Sequence, residues 1–172
     1  MPPRMSAAGP GCAKVWILAP TVALPGPGTT CMSGSRQFVD TNILVYAHDV
    51  TAGDKHAVAR ALVEELWEAR DGCLSVQVLQ EFFVTTTRKI PKPLDLPAAA
   101  QIIEDLTHWH VHTPAAADVL AAIDIHQRMG TSFWDAMILR SAKELECQIL
   151  YSEDLNSGQE YDGVLLRNPF LD

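Results

Sequence analysis

The chain has 172 residues, 48% hydrophobic and 20% charged, a composition that suits one globular domain and excludes disordered and fibrous classes. No apolar run reaches the roughly 18 residues needed to cross a bilayer, so a membrane protein is not expected. The formal charge of −8 is uneven: Arg4 and Lys14 are the only charged side chains in residues 1–35, leaving 11 basic and 21 acidic residues, a balance of −10, for residues 36–172.

An acidic body argues against nucleic-acid binding through a broad basic surface. It leaves room for a nuclease whose carboxylates are neutralised by cations, and it suits a partner protein with a basic segment. The cysteines (Cys12, Cys31, Cys73, Cys147) are scattered, with no C-x-x-C pair and no zinc-site spacing. A reducing compartment, the cytoplasm, is expected.

Residues 1–35 are rich in Pro, Gly, Ala, Ser and Thr. Lys14 ahead of an apolar stretch invites a secretory-signal reading, but Pro20 and Pro25 interrupt that stretch, which is short and begins late. The segment is read as a disordered extension or a mis-called start, with Met32 as the alternative first residue. The ordered domain is expected over residues 36–172.

From Arg36 the pattern is regular. Gln37–Asp40 reads as a short strand that turns into a brief helix, TNILVYAHD. Asp54 is the expected N-cap of a helix whose Val58, Leu62, Leu66 and Ala69 form one apolar face, with Gly72 ending the unit. Cys73–Ser75 is a strand, and VQVLQEFFVTTTRK a helix that stops before Pro91 and Pro93. Asp95 caps a helix with Pro97 in its first turn. Trp109–Thr113 alternates as a strand, and Thr113-Pro114 opens a helix that ends at Gly130. Ser132 begins FWDAMILRSAKEL, followed by the strands Gln148–Tyr151 and Val164–Arg167. Phe82, Phe83, Trp134 and Met137 are assigned to the core.

Strands alternating with helices imply an α/β fold with a parallel sheet covered on both faces, whose functional crevice lies beyond the carboxyl ends of the strands. Asp40 ends the first strand, and Asp154 lies just past QILY. Asp135 lies in the first turn of the helix before QILY, and Glu81 in the first two turns of the helix after CLS. Acids converging without basic partners repel one another unless a cation binds. Mg²⁺ or Mn²⁺ meets that need, and such a site suits a phosphodiester substrate. Each acid also has a local reading: Asp40 as a helix cap, Glu81 as a solvated side chain, Asp135 as part of an S-x-x-D capping box, and Asp154 as a turn residue.

The stretches FVDTNILVYA, SVQVLQEFFVTTTRK, SFWDAMILRSA and YSEDLNSG…GVLLRNPF resemble the signature blocks of PIN domains, specifically VapC-type toxins of toxin–antitoxin pairs. The resemblance spans about Arg36 to Phe170. It implies a three-layer α/β/α sandwich with a parallel sheet of about five strands, and Mg²⁺- or Mn²⁺-dependent endoribonuclease activity on RNA. A cognate antitoxin and a homodimer are implied as partners. By the same resemblance Asp40 and Asp135 match the principal metal-binding acids, Glu81 the helical glutamate and Asp154 the fourth acid, with Glu153 as a register alternative. Asn42 and Ser152 match supporting polar residues. A catalytically silent scaffold that binds RNA or protein is the rival. An aspartyl phosphohydrolase is disfavoured because D-T-N lacks the D-x-D such enzymes carry.

His108, His110 and His112 alternate along one strand face; zinc binding and an exposed polar face are both open. Arg88, Lys89 and Lys92 form the one local basic cluster, a candidate contact for RNA phosphate or a solvated helix end.

Overall fold

Gln37–Val39 forms the first strand, β1, and the chain leaves it through α1 (Thr41–His48) and α2 (Asp54–Ala69) before returning as β2 (Gly72–Ser75). There follow α3 (Val76–Arg88), α4 (Leu96–Leu106), β3 (His110–His112), α5 (Ala116–Met129) and α6 (Phe133–Glu144). The chain closes with β4 (Ile149–Tyr151), β5 (Glu160–Tyr161) and β6 (Val164–Arg167). The structure, a computed structural model, describes residues 35–171; the expectations for the segment before Ser35 lie outside them.

The sheet order is β3-β2-β1-β4-β6-β5. The first five strands in that order pair in parallel, as expected, and β5 runs antiparallel to β6 at the edge. Helices cover both faces, giving the three-layer α/β/α sandwich: α1 packs on α2 and α3, while α5 and α6 pack on each other and α6 on β2. The central strands are apolar without alternation, as in a sheet buried on both sides. Phe38, Val39, Cys73, Leu74 and Leu150 are all fully buried. No helix among the described residues is long and apolar enough to cross a membrane.

β5 was not anticipated. It is the first arm of a hairpin in which Tyr161 pairs with Val164 across Asp162 and Gly163. Both turn residues take positive φ, 46° and 90°, the demand that makes Asp-Gly a favoured two-residue turn.

Several local expectations need correction. The N-cap of α2 is Gly53, one residue before Asp54. Its apolar face is rotated: Val58 and Ala69 are exposed, and Ala59 and Leu66 are buried, because the helix leans on α1 and β2 together. α5 starts at Ala116, since Thr113 and Pro114 serve as the connection from β3; Asp118 then accepts the Ala115 N–H at 2.8 Å. Phe82 and Met137 are core residues and Phe83 is half-buried, but Trp134 is 62% exposed.

Candidate active site

The chain steps outward from β1 through β2 to β3, then crosses back to place β4 on the other side of β1. The gap between β1 and β4 is therefore the point where the strand order reverses, which is where open α/β sheets form a binding crevice at the carboxyl ends. Asp40 leaves β1 at that gap, and Ser152 leaves β4 beside it.

Asp40 is the N-cap of α1, and its Oδ1 accepts the Thr41 N–H at 2.6 Å. Its Oδ2 accepts from Ser152 Oγ at 2.7 Å and from Asn42 Nδ2 at 3.3 Å. The cap reading of Asp40 is thus correct, and it coexists with a place in the cleft. Ser152 Oγ in turn accepts the Asp154 N–H at 3.2 Å, while Asn42 Nδ2 also donates to Asp154 Oδ2 at 3.0 Å. Asn42 and Ser152 therefore clamp the exit of β1 to the exit of β4 through two carboxylates.

Glu81 lies on α3, whose start is fixed by the Ser75 hydroxyl accepting the Val78 N–H at 3.4 Å. Glu81 Oε2 accepts from Thr41 Oγ1 at 2.8 Å, and its Oε1 from Gln77 Nε2 at 2.9 Å. Asp135 is held by the N-cap Ser132, whose Oγ accepts the Asp135 N–H at 3.1 Å. That is one arm of a capping box; the Asp135 carboxylate itself accepts from Thr131 Oγ1 at 3.2 Å.

These four acids line one cleft of about 450 Å³. Lys89 is the one cationic side chain among its described lining residues. Burial pushes the Asp40 carboxyl up to about 6, and the charges of Glu81 and Asp135 add to it in a smaller measure. Glu153, the register alternative to Asp154, is engaged elsewhere: Lys55 pairs with it, and together with Tyr46 holds its carboxyl below the usual range against the opposing effect of burial.

The PIN domain family matches residues 38–158, a span that contains all four acids. The chain belongs to the PIN domain family.

Among solved structures this PIN domain is similar to a toxin–antitoxin complex from Klebsiella pneumoniae, at 17% identity and a TM-score of 0.57, covering 77% of this chain and 97% of that one. It is also similar to VapC20 of Mycobacterium tuberculosis, described as a sarcin–ricin loop cleaving toxin, at 22% identity and a TM-score of 0.52, covering 66% and 86%. A third likeness is to a DNA-bound VapBC from Salmonella typhimurium, at 15% identity and a TM-score of 0.55, covering 78% and 98%. At such identities the likeness speaks for the fold. No curated protein matches the chain.

The donor set of the PIN cleft is all oxygen, which fits a hard divalent cation rather than a soft one. No group of three or more His, Cys, Asp or Glu side chains among the described residues forms a ready cage for a metal ion. A cation that keeps several waters and takes one or two carboxylates directly fits such an open arrangement. His112, the most enclosed of the alternating histidines, sits 3.7 Å from Asp118, which also accepts from Arg140 Nε at 2.9 Å.

Three site residues escaped the sequence reading. Gln77 stands one helical turn before Glu81, and that i, i+4 spacing was the available signal. Thr41 was passed over as a helix residue beside Asp40. Trp134 was assigned to the core, yet it lines the cleft.

Proposed function

We propose that this PIN domain is a Mg²⁺- or Mn²⁺-dependent endoribonuclease that hydrolyses RNA phosphodiester bonds as the toxin of a toxin–antitoxin pair. The observation that carries the reading is the delivery of Asp40, Glu81, Asp135 and Asp154 by four separate segments to one cleft with a single lysine among its described lining residues. Structure that costs stability through like-charge repulsion is retained where a ligand compensates it.

Asp40, Asp135 and Asp154 would hold the cation, one or two of them directly and the rest through its waters. When bound, it neutralises the substrate phosphate and acidifies a water for in-line attack. Glu81, fixed by Thr41 and Gln77, serves as a further ligand or orients that water and takes its proton. Asn42 and Ser152 keep Asp40 and Asp154 turned towards the cleft. Lys89 meets a phosphate of the RNA backbone.

The partner readings rest on likeness to toxin–antitoxin complexes and on the acidic body, which complements a basic antitoxin segment. A second copy of the chain is the other expected partner; Val119, Leu120 and Ile123, exposed along α5, offer an apolar strip of the kind a homodimer covers. The buried free thiols of Cys73 and Cys147 suit a reducing cytoplasm.

The test is cleavage of total RNA by the purified chain with Mg²⁺ or Mn²⁺ and with EDTA, beside Asp40→Asn. Cutting that needs the metal and falls at least about a hundredfold in the variant is the expected result. A folded, metal-titrating wild type that cuts nothing would return the chain to the silent-scaffold reading.

A further inference from the structure

Trp134 is unlike its neighbours in the cleft. It precedes Asp135 in the first turn of α6, lines the cleft, and keeps 62% of its surface exposed. The ring lies in the same cleft as the four acids and is open to whatever that cleft binds. Its backbone is tied to the site, and one neighbouring ring touches it. Phe133 packs against it with ring centroids 5.4 Å apart at 67°, and its carbonyl accepts from Gln77 Nε2 at 3.3 Å. The same Gln77 amide holds Glu81, so the helix turn that carries the indole is tied to the carboxylate site.

The other aromatic residue of the cleft is already in use. Tyr46 packs edge-on against Phe170 at 5.4 Å and under the Lys55 ammonium at 4.8 Å. Trp134 alone among the described cleft aromatics is open. Lys89 lines the same cleft and is exposed at the end of α3. A phosphodiester at the four acids therefore has a cation for backbone charge and a free aromatic surface for a base. Single-stranded nucleic acid is held by this pairing of backbone cations with stacked aromatics.

We propose that Trp134 is the nucleobase platform of the cleft: it stacks the unpaired base of a nucleotide flanking the scissile phosphate. The assignment rests on the ribonuclease reading, and its test is independent of cutting. The full chain carrying Glu81→Gln, which leaves the three aspartates of the cation site in place, is titrated, in Mg²⁺, against a fluorophore-labelled octa-adenylate and against an abasic octamer of the same length. Adding Trp134→Ala is expected to weaken octa-adenylate binding about tenfold, and Trp134→Phe to restore most of it. The abasic octamer is expected to bind the parent and the Trp134→Ala chain alike.

Unchanged octa-adenylate affinity on Trp134→Ala overturns the assignment and leaves the indole to a protein contact. An equal loss on the abasic octamer overturns it too, because the residue then shapes the cleft rather than reading a base. Absence of octa-adenylate binding by the parent counts against it equally. Circular dichroism of each variant verifies folding, which an exposed ring does not control. Failure of the nuclease reading shows separately, as a wild-type chain that cuts no RNA.

Discussion

Asp40 is the most deeply buried of the cleft's four acids, and this makes its titration informative. In the metal-free protein its carboxyl moves from 3.8 to about 6, with burial the largest cause and the Ser152 and Thr41 hydrogen bonds opposing it. The folded chain then holds the proton more tightly than the unfolded chain. The contribution to stability is fully present below about pH 3.8 and is lost as pH rises through about 6. Two pKa units correspond to about 3 kcal/mol. In EDTA, Asp40→Asn should therefore gain on the parent between pH 4 and 7, by an amount of order 1–3 kcal/mol at neutrality. Denaturant melts at several pH values measure this; a difference that stays constant across the range would mean that Asp40 does not carry the strain. Ser152 does not hinder the variant, since its hydroxyl can rotate to suit an amide.

At the scale of elements, β2 and β3 meet through a contact that leaves no tolerance. Gly72 begins β2, and a Cβ built there would lie 2.4 Å from the Trp109 ring, which is buried just before β3. That ring also neighbours Trp67 of α2, with centroids 6.3 Å apart, so it has little room to retreat. Gly72→Ala is expected to lower stability by about 1–3 kcal/mol through overpacking. Thermal melting in EDTA checks it, and an unaltered Tm would show that the indole can move aside. The elements themselves were largely readable from local signals. Asp95 and Ser132 were placed where they cap, because a cap needs only a side-chain acceptor and a free N–H a few residues ahead. The hairpin of β5 and β6 carried a local signal too, Asp162-Gly163, but two-residue strands have no periodicity to detect.

For the whole molecule, the sum of these charges predicts a response to metal. A cation that binds only the folded cleft should stabilise it by about 1.4 kcal/mol at ten times its Kd, roughly 4 °C in Tm for a domain of this size. The gain should disappear in Asp40→Asn. Scanning calorimetry with Mg²⁺, Mn²⁺ and EDTA measures it, and an equal gain in parent and variant would place the cation elsewhere. The strand–helix alternation, the parallel sheet and the location of four acids near strand ends were legible along the chain, because each depends on hydrophobic period and local turns. Asp154 was chosen over Glu153, but the reason Glu153 stays out was not legible, since it depends on Lys55 and Tyr46 claiming Glu153 from another part of the chain. The same holds for Gln77, whose single amide joins Glu81 to the Trp134 carbonyl, and for the exposure of Trp134 itself. An apolar ring within a helix reads as core until the neighbours that would cover it are known. Those neighbours come from distant segments, and their directions are set by packing rather than by sequence spacing.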